Sequence, residues 1–204
     1  MIAIIEYGSG NVSAIANIYK QLKIPHTVTS DRKEIEAAQR YILPGVGAFD
    51  KVITEFDRLG LRHILNEQIL YHKKKVMGIC IGMQILADSS EEGQLPGLGW
   101  IPGCIRRIDE TPIHSKPKLP HMGWNSISPQ KPTPMFRDID INRGFYFLHS
   151  YFFDAARPDD VLATVTYGKE LPCAVMHDNV FGIQFHPEKS HLNGMNIFRN
   201  FAEI

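Results

Sequence analysis

The sequence predicts an α/β fold, a mostly parallel central sheet with helices on both faces and a Pro-rich β elaboration. In the first half, short apolar, β-branched runs alternate with longer segments of helical periodicity, the pattern of βαβ units whose strands are buried on both sides. Strand patterns return in the second half and a helical pattern closes the chain. Between them, six of the 13 prolines lie from Pro112 to Pro134, which predicts loops and short strands on one sheet edge. At 204 residues the chain is expected to fold as one domain, residues 1–204, with core enough to need no disulfide or metal.

The elements follow in order. Residues 2–6 form the first strand, and Tyr7-Gly8-Ser9-Gly10-Asn11 turns the chain into a helix over 12–22, where Ile15, Ile18, Tyr19 and Leu22 recur at helical spacing. His26–Thr29 is the second strand, Ser30 the expected N-cap of the next helix with Asp31 in its first turn, and Arg40–Leu43 the third strand. After the loop Pro44-Gly45-Val46-Gly47-Ala48, helices are predicted over 50–58 and 61–74, the second ending in three lysines that suit a helix C-terminus. A strand over 76–79 and a helix over 81–88 complete the alternation. Further strands are expected over 144–148, Val161–Tyr167, 174–177 and 180–185, and a last helix over 192–201.

Composition narrows the function. Twenty-two basic and 22 acidic residues cancel, and 44% of the chain is hydrophobic. This argues against disorder, nucleic-acid binding and a polybasic membrane surface, and for a small-molecule or protein partner. The three cysteines lack metal-site spacing, and no metal or cofactor is expected. The N-terminal apolar run meets Glu6 too soon for a signal-peptide core, and no run approaches the ~20 residues of a membrane span. The expected location is cytoplasmic.

Gly78-Ile79-Cys80-Ile81-Gly82 lies between a strand and a helix, the pattern of a nucleophile elbow with sulfur in place of the hydroxyl. Such a turn lifts the thiol clear of the sheet, where N–H groups at the helix start favour a thiolate and an oxyanion. From these five residues alone, a buried strand-end cysteine is an equal reading. A thiolate needs a base. His186 follows the apolar run 180–185 at an expected sheet edge, and Pro187 keeps it out of the helical region, so in an extended chain Glu188 would project to the same side and orient the imidazole. Alone, His-Pro-Glu also reads as a plain turn. Pro44-Gly45-Val46-Gly47 could turn N–H groups toward a ligand, or simply be a turn.

Pro44-Gly45-Val46-Gly47-Ala48-Phe49, Gly78-Ile79-Cys80-Ile81-Gly82-Met83-Gln84, His121-Met122-Gly123-Trp124-Asn125 and Gly182-Ile183-Gln184-Phe185-His186-Pro187-Glu188 together resemble the class I glutamine amidotransferases from the first strand to the last helix. Met83 and the His121–Asn125 stretch are similar to the members that serve as glutaminase subunits of imidazole glycerol phosphate synthase. The resemblance implies hydrolysis of glutamine to glutamate and ammonia, with ammonia passed to a separate synthase subunit in a heterodimer. It implies Cys80 as nucleophile, His186 as base and Glu188 as its orienter. Val46 and Ile81 would supply oxyanion N–H groups, and Gly47, Gln84, His149, Ser150 and Tyr151 would hold glutamine. Tyr7, Asn11, Met122, Trp124, Asn125, Tyr146 and Lys189 would lie near the partner.

Residues 91–100 and Lys189-Ser190-His191 are more similar to paralogues associated with surface-polysaccharide genes, which implies sugar amidation as an alternative use of the ammonia. A stand-alone γ-glutamyl thiol hydrolase would leave Met122-Gly123-Trp124-Asn125 without a purpose. A non-catalytic module with a redox-sensitive Cys80 would leave Glu188 without one.

Overall fold

Alternate residues of the central strands feed two different cores, which is why these strands are apolar throughout rather than every second residue. The computed structural model describes residues 1–114 and 116–204. Strands β1 (Ile2–Ile5), β2 (His26–Thr29), β3 (Arg40–Leu43) and β4 (Lys75–Ile79) alternate with helices α1 (Val12–Gln21), α2 (Arg32–Ala37), α3 (Phe49–Arg58) and α4 (Leu61–Asn66). There follow α5 (Ile81–Gln84), β5 (Ser89–Ser90), β6 (Gly103–Arg107), β7 (His121–Asn125), β8 (Ile127–Pro129), β9 (Phe145–His149) and β10 (Tyr151–Ala155). The chain finishes with β11 (Val161–Tyr167), β12 (Lys169–His177), β13 (Val180–Ile183) and α6 (His191–Glu203).

The main sheet has eight strands in the order β2-β1-β3-β4-β13-β12-β11-β8. It is parallel from β2 to β13 and antiparallel from β13 to β8. Ala3, Ile5, Tyr41, Leu43 and Val76 pack under Ile35 of α2, Val52, Ile53 and Phe56 of α3, and Leu61, Ile64 and Leu65 of α4. Ile2, Ile4, Ile42, Met77 and Ile79 pack on the other face against Ile15 and Tyr19 of α1 and Ile197, Phe198 and Phe201 of α6. Burial of each such side chain stabilises the fold by about 1.5–3 kcal/mol before chain entropy is counted.

Four sequence expectations need correcting. The cap of α2 is Asp31, not Ser30: its carboxylate accepts the N–H groups of Lys33 and Glu34, the geometry that stabilises a helix start. The helix predicted over 61–74 passes from α4 into a π-helical turn, Glu67–Tyr71, and ends before the lysines. Lys73 takes a left-handed φ of 54° and Lys75 already belongs to β4. The helix predicted over 81–88 stops after one turn, because the amides of Leu98, Gly99, Trp100 and Ile101 take the carbonyls of Ile85, Leu86 and Ala87. A tertiary hydrogen-bond set here outcompetes a helical pattern. Finally, only β8 of the Pro-rich segment extends the main sheet. β7 pairs with β9, and β6 with β5 and β10, in two smaller sheets. β10 is not separable in the sequence, since Phe145 to Ala155 reads as one strand-like run broken only at Ser150.

The register decides where the chemistry gathers. Leu43 pairs with Gly78 and Gly78 with Gly182, so β3, β4 and β13 end side by side. Pro44, Cys80 and Gln184–His186 therefore emerge together at the carboxyl edge of a parallel sheet, where such sheets form their sites.

Candidate active site

Cys80 occupies the sharp turn between β4 and α5 with φ 54° and ψ −114°. A non-glycine residue in this region is strained by about 1–3 kcal/mol and is held there by its surroundings. The Cys80 N–H donates to Ile183 O at 2.8 Å, and its carbonyl accepts Met83 N–H and Gln84 N–H. The flanking glycines are demanded by close approach. A Cβ on Gly78 would lie 2.2 Å from the Gly82 carbonyl oxygen, and one on Gly82 would lie 2.0 Å from that of Leu43. Because α5 is a single turn, its macrodipole is slight. What it offers is the N–H of Ile81, the first helical residue, which has no intrahelical partner.

His186 is extended, as Pro187 requires, but residues Pro187–Lys189 form a 3₁₀ turn rather than the expected extended chain. The turn still delivers Glu188: His186 Nδ1 lies 2.8 Å from Glu188 Oε1, and both side chains are 2% exposed. Burial works against a charged imidazole, but the hydrogen bonds and charges of Cys80 and Glu188 outweigh it and push His186 up to about 10. Thus Nδ1–H donates to Glu188 and the other ring nitrogen is free for sulfur. Gln184, to which the sequence assigns no role, completes the cluster. Gln84 Nε2 donates to Gln184 Oε1 at 2.9 Å, which leaves Gln184 Nε2 to donate to Cys80 Sγ at 3.6 Å.

The shifted histidine makes stability pH-dependent. His186 is raised above the ordinary 6.5, so its imidazolium favours the folded chain fully below pH 6.5, and that contribution fades as pH climbs to about 10. Glu188→Gln removes the carboxylate charge at nearly constant shape. A ¹⁵N-histidine titration is expected to move the His186 midpoint down by at least about one unit, with less loss of melting temperature between pH 7 and 10. An unmoved midpoint would reduce Glu188 to a turn residue.

A cavity of about 260 Å³ opens above the sulfur, lined by Val46, Gly47, Cys80, Ile81, Gln84, Leu148, His149, Ser150, Tyr151 and His186, with Pro120 and Glu92 at its sides. Every residue expected at the reacting or substrate site lines it except Glu188, which stands behind His186. In the sequence Glu92 belongs only to a pathway-marking stretch. Here its Oε2 accepts Phe49 N–H at 2.9 Å, while Asp50 holds the amides of Gln94 and Leu95, so the 91–95 loop is clipped to the start of α3. A carboxylate eight residues beyond the elbow's glutamine is the only sequence signal for it.

The loop after β3 is not arranged as expected. Val46 N–H donates to Ser9 Oγ at 2.9 Å, and the same hydroxyl donates to Val46 O at 2.5 Å. The N–H expected to face an oxyanion is committed to a serine 37 residues earlier in the chain. Below the loop the Tyr7 hydroxyl donates to Pro44 O. Tyr7 is 1% exposed and packs edge-on to Phe56, so it supports the loop and presents no surface to a partner.

A buried thiol beside a carboxylate-backed imidazole, with backbone donors around a small cavity, is equipped for acyl transfer through a thioester. The family profile described as glutamine amidotransferase class-I matches residues 3–204. The chain belongs to the class-I glutamine amidotransferases. Among similar proteins, imidazole glycerol phosphate synthase subunit HisH of Bdellovibrio bacteriovorus is 48% identical over 204 residues, and subunit HisH 2 of Pseudomonas aeruginosa 45%, each aligned over the whole of both chains. Of solved structures, one described as a glutamine amidotransferase superposes with a TM-score of 0.73 at 16% identity and full coverage of both chains. A putative GMP synthase subunit from Thermoplasma acidophilum superposes at 0.70 and 18%, covering 99% of this chain and 92% of that one. These likenesses carry the fold.

The residues expected near a partner differ in exposure. Met122 and Trp124 are 61% and 48% exposed on β7. Trp124 stacks on His191 at 5.3 Å and meets Tyr146 edge-on at 6.4 Å, and Lys189 Nζ lies 5.5 Å above the Tyr146 ring. Asn11 is exposed before α1 and its side chain makes no capping bond. Asn125, half-buried, turns inward to hydrogen-bond His121 and Thr166. Among the described residues, no helix is long and apolar enough to cross a membrane.

Proposed function

We propose that this amidotransferase is the glutaminase subunit of imidazole glycerol phosphate synthase in histidine biosynthesis, with Cys80, His186 and Glu188 as its triad. The reading rests on one arrangement: Cys80 and His186 meeting in a single small cavity with Gln84, with Glu188 bonded behind the imidazole and buried Gln184 donating to the sulfur. The Cys80 thiolate attacks the amide carbon of glutamine, and the imidazolium of His186 protonates the departing nitrogen as the C–N bond breaks and a thioester forms. His186 then takes a proton from water, whose oxygen attacks the thioester and releases glutamate. Ile81 N–H holds the oxyanion, joined by Val46 N–H once that peptide leaves Ser9. Glu92 is a suitable counter-charge for the α-ammonium of glutamine.

The ammonia acceptor is a second protein chain, docked over Asn11, Met122, Trp124, Asn125, Tyr146 and Lys189. Full-length likeness to synthase subunits at 48% and 45% identity favours this acceptor over a polysaccharide sugar and over solitary hydrolysis. The test is glutamate release by the purified chain alone, then with the synthase partner and its ligand, then with a sugar-amidating synthase. Stimulation by the first partner alone is expected. Full activity of the isolated chain, unchanged by either partner, would favour a stand-alone hydrolase.

A further inference from the structure

We infer that His121 is a positioning residue for the glutamine pocket, holding its wall through a hydrogen-bonded chain that runs from Asn125 to the Tyr151 carbonyl. The inference deepens the glutaminase reading and rests on it. Tyr151 O accepts from His149 Nδ1 at 2.8 Å, and a carbonyl can only accept, so His149 carries its proton on Nδ1. Its Nε2 then accepts from His121 Nδ1 at 2.9 Å, which leaves His121 Nε2 as the acceptor for Asn125 Nδ2 at 3.2 Å. Asn125 Nδ2 also donates to Thr166 O at 3.0 Å, which fixes the amide orientation. Every proton in the chain is therefore assigned by its neighbour. Such a chain works only with both rings neutral, and burial sets this: His121 is pushed down to about 4 and His149 to about 3.

The chain has a structural address. His121 and His149 are directly opposed across the β7–β9 pair, and His121 is stacked between Phe147 at 4.8 Å and Tyr167 at 4.1 Å. Its far end is the pocket wall, since His149, Ser150 and Tyr151 line the cavity and Gln84 Nε2 lies 3.4 Å from Tyr151 O. The chain does not reach Cys80 or His186 by any of these bonds. His121 thus governs where the substrate-holding backbone sits and leaves the sulfur chemistry alone. The two histidines are rigid spacers of fixed tautomer, which an apolar residue could match in shape but not in direction.

His121→Phe keeps a ring in the stack and removes both hydrogen bonds. In the assembled complex it is expected to raise the KM for glutamine at least about tenfold, to leave the rate of Cys80 alkylation by iodoacetamide within about twofold, and to lower the melting temperature by only a few degrees, the cost of one unpaired buried nitrogen. An unchanged KM, or equal losses in KM, alkylation and thermal stability, would overturn the positioning role. Should the variant fail to fold, ¹⁵N-histidine spectra of the unaltered chain decide the matter. The expected result is two neutral Nδ1–H rings with coupling from the His121 proton to His149 Nε2, and a mobile or Nε2–H tautomer at either ring would overturn it. If the unaltered complex released no glutamate, the glutaminase reading would fall, while these spectra would still test the chain.

Discussion

Cys80→Ser is expected to lower glutamine hydrolysis in the assembled complex by about 10⁴-fold or more, the scale seen when a triad nucleophile is removed. The serine hydroxyl fits the space of the thiol and the strained turn is unchanged, because φ 54° at this position is imposed by the glycine contacts around it. What is lost is ionisation. A serine hydroxyl is intrinsically a far weaker acid than a thiol and does not supply the anionic nucleophile that the proposed attack requires. Melting temperature and partner affinity should therefore stay close to the parent's, and substantial turnover by the serine variant would point to another nucleophile. The same reasoning makes a glutamine-analogue electrophile selective. Cys173 is fully buried with its thiol pushed up by burial, and Cys104 lies on β6 beside Ser89, away from the cavity.

The second large effect is coupling. The isolated chain should show low glutaminase activity, and the correct synthase subunit with its ligand should raise it at least about tenfold, roughly 1.4 kcal/mol of barrier. On this reading the cause would lie in Ser9, whose hydroxyl engages both the N–H and the carbonyl of Val46. A neutral hydrogen bond is worth about 1 kcal/mol net. Ser9→Ala should therefore raise the activity of the isolated chain about fivefold and shrink the stimulation by the same factor. Trp124→Ala should reduce stimulation more than basal activity, since Trp124 is exposed on β7 and does not line the cavity at the sulfur. Unchanged basal activity in Ser9→Ala would remove the serine from this account.

The parts of the site legible in the sequence were those written in consecutive residues. The glycines around Cys80, the proline after His186 and the spacing to Glu188 each constrain the backbone where they stand, so the elbow and the imidazole pair are legible as candidates without a fold, each beside a plainer reading. Glu92 and Gln184 could not, because each acts across a long gap. Gln184 reaches Cys80 over 104 residues and Glu92 reaches Phe49 over 43. Nothing in their own neighbours marks them.

Local pattern suffices for the βα alternation of the first half and the two-sided burial of β1, β3 and β4, and it marks Cys80, His186 and Glu188 as candidates, since apolar period and steric restriction act over a few residues. Tertiary structure alone decided which face Val46 turns its N–H to, that Tyr7 lies beneath the loop rather than on the surface, and that the helix after Cys80 stops at one turn. For Val46 and the residues after Cys80, backbone groups compete between local and distant hydrogen-bond partners of similar strength, a margin of about 1 kcal/mol, and the winner is the one that packing brings within reach; for Tyr7, burial of the ring against Phe56 decides.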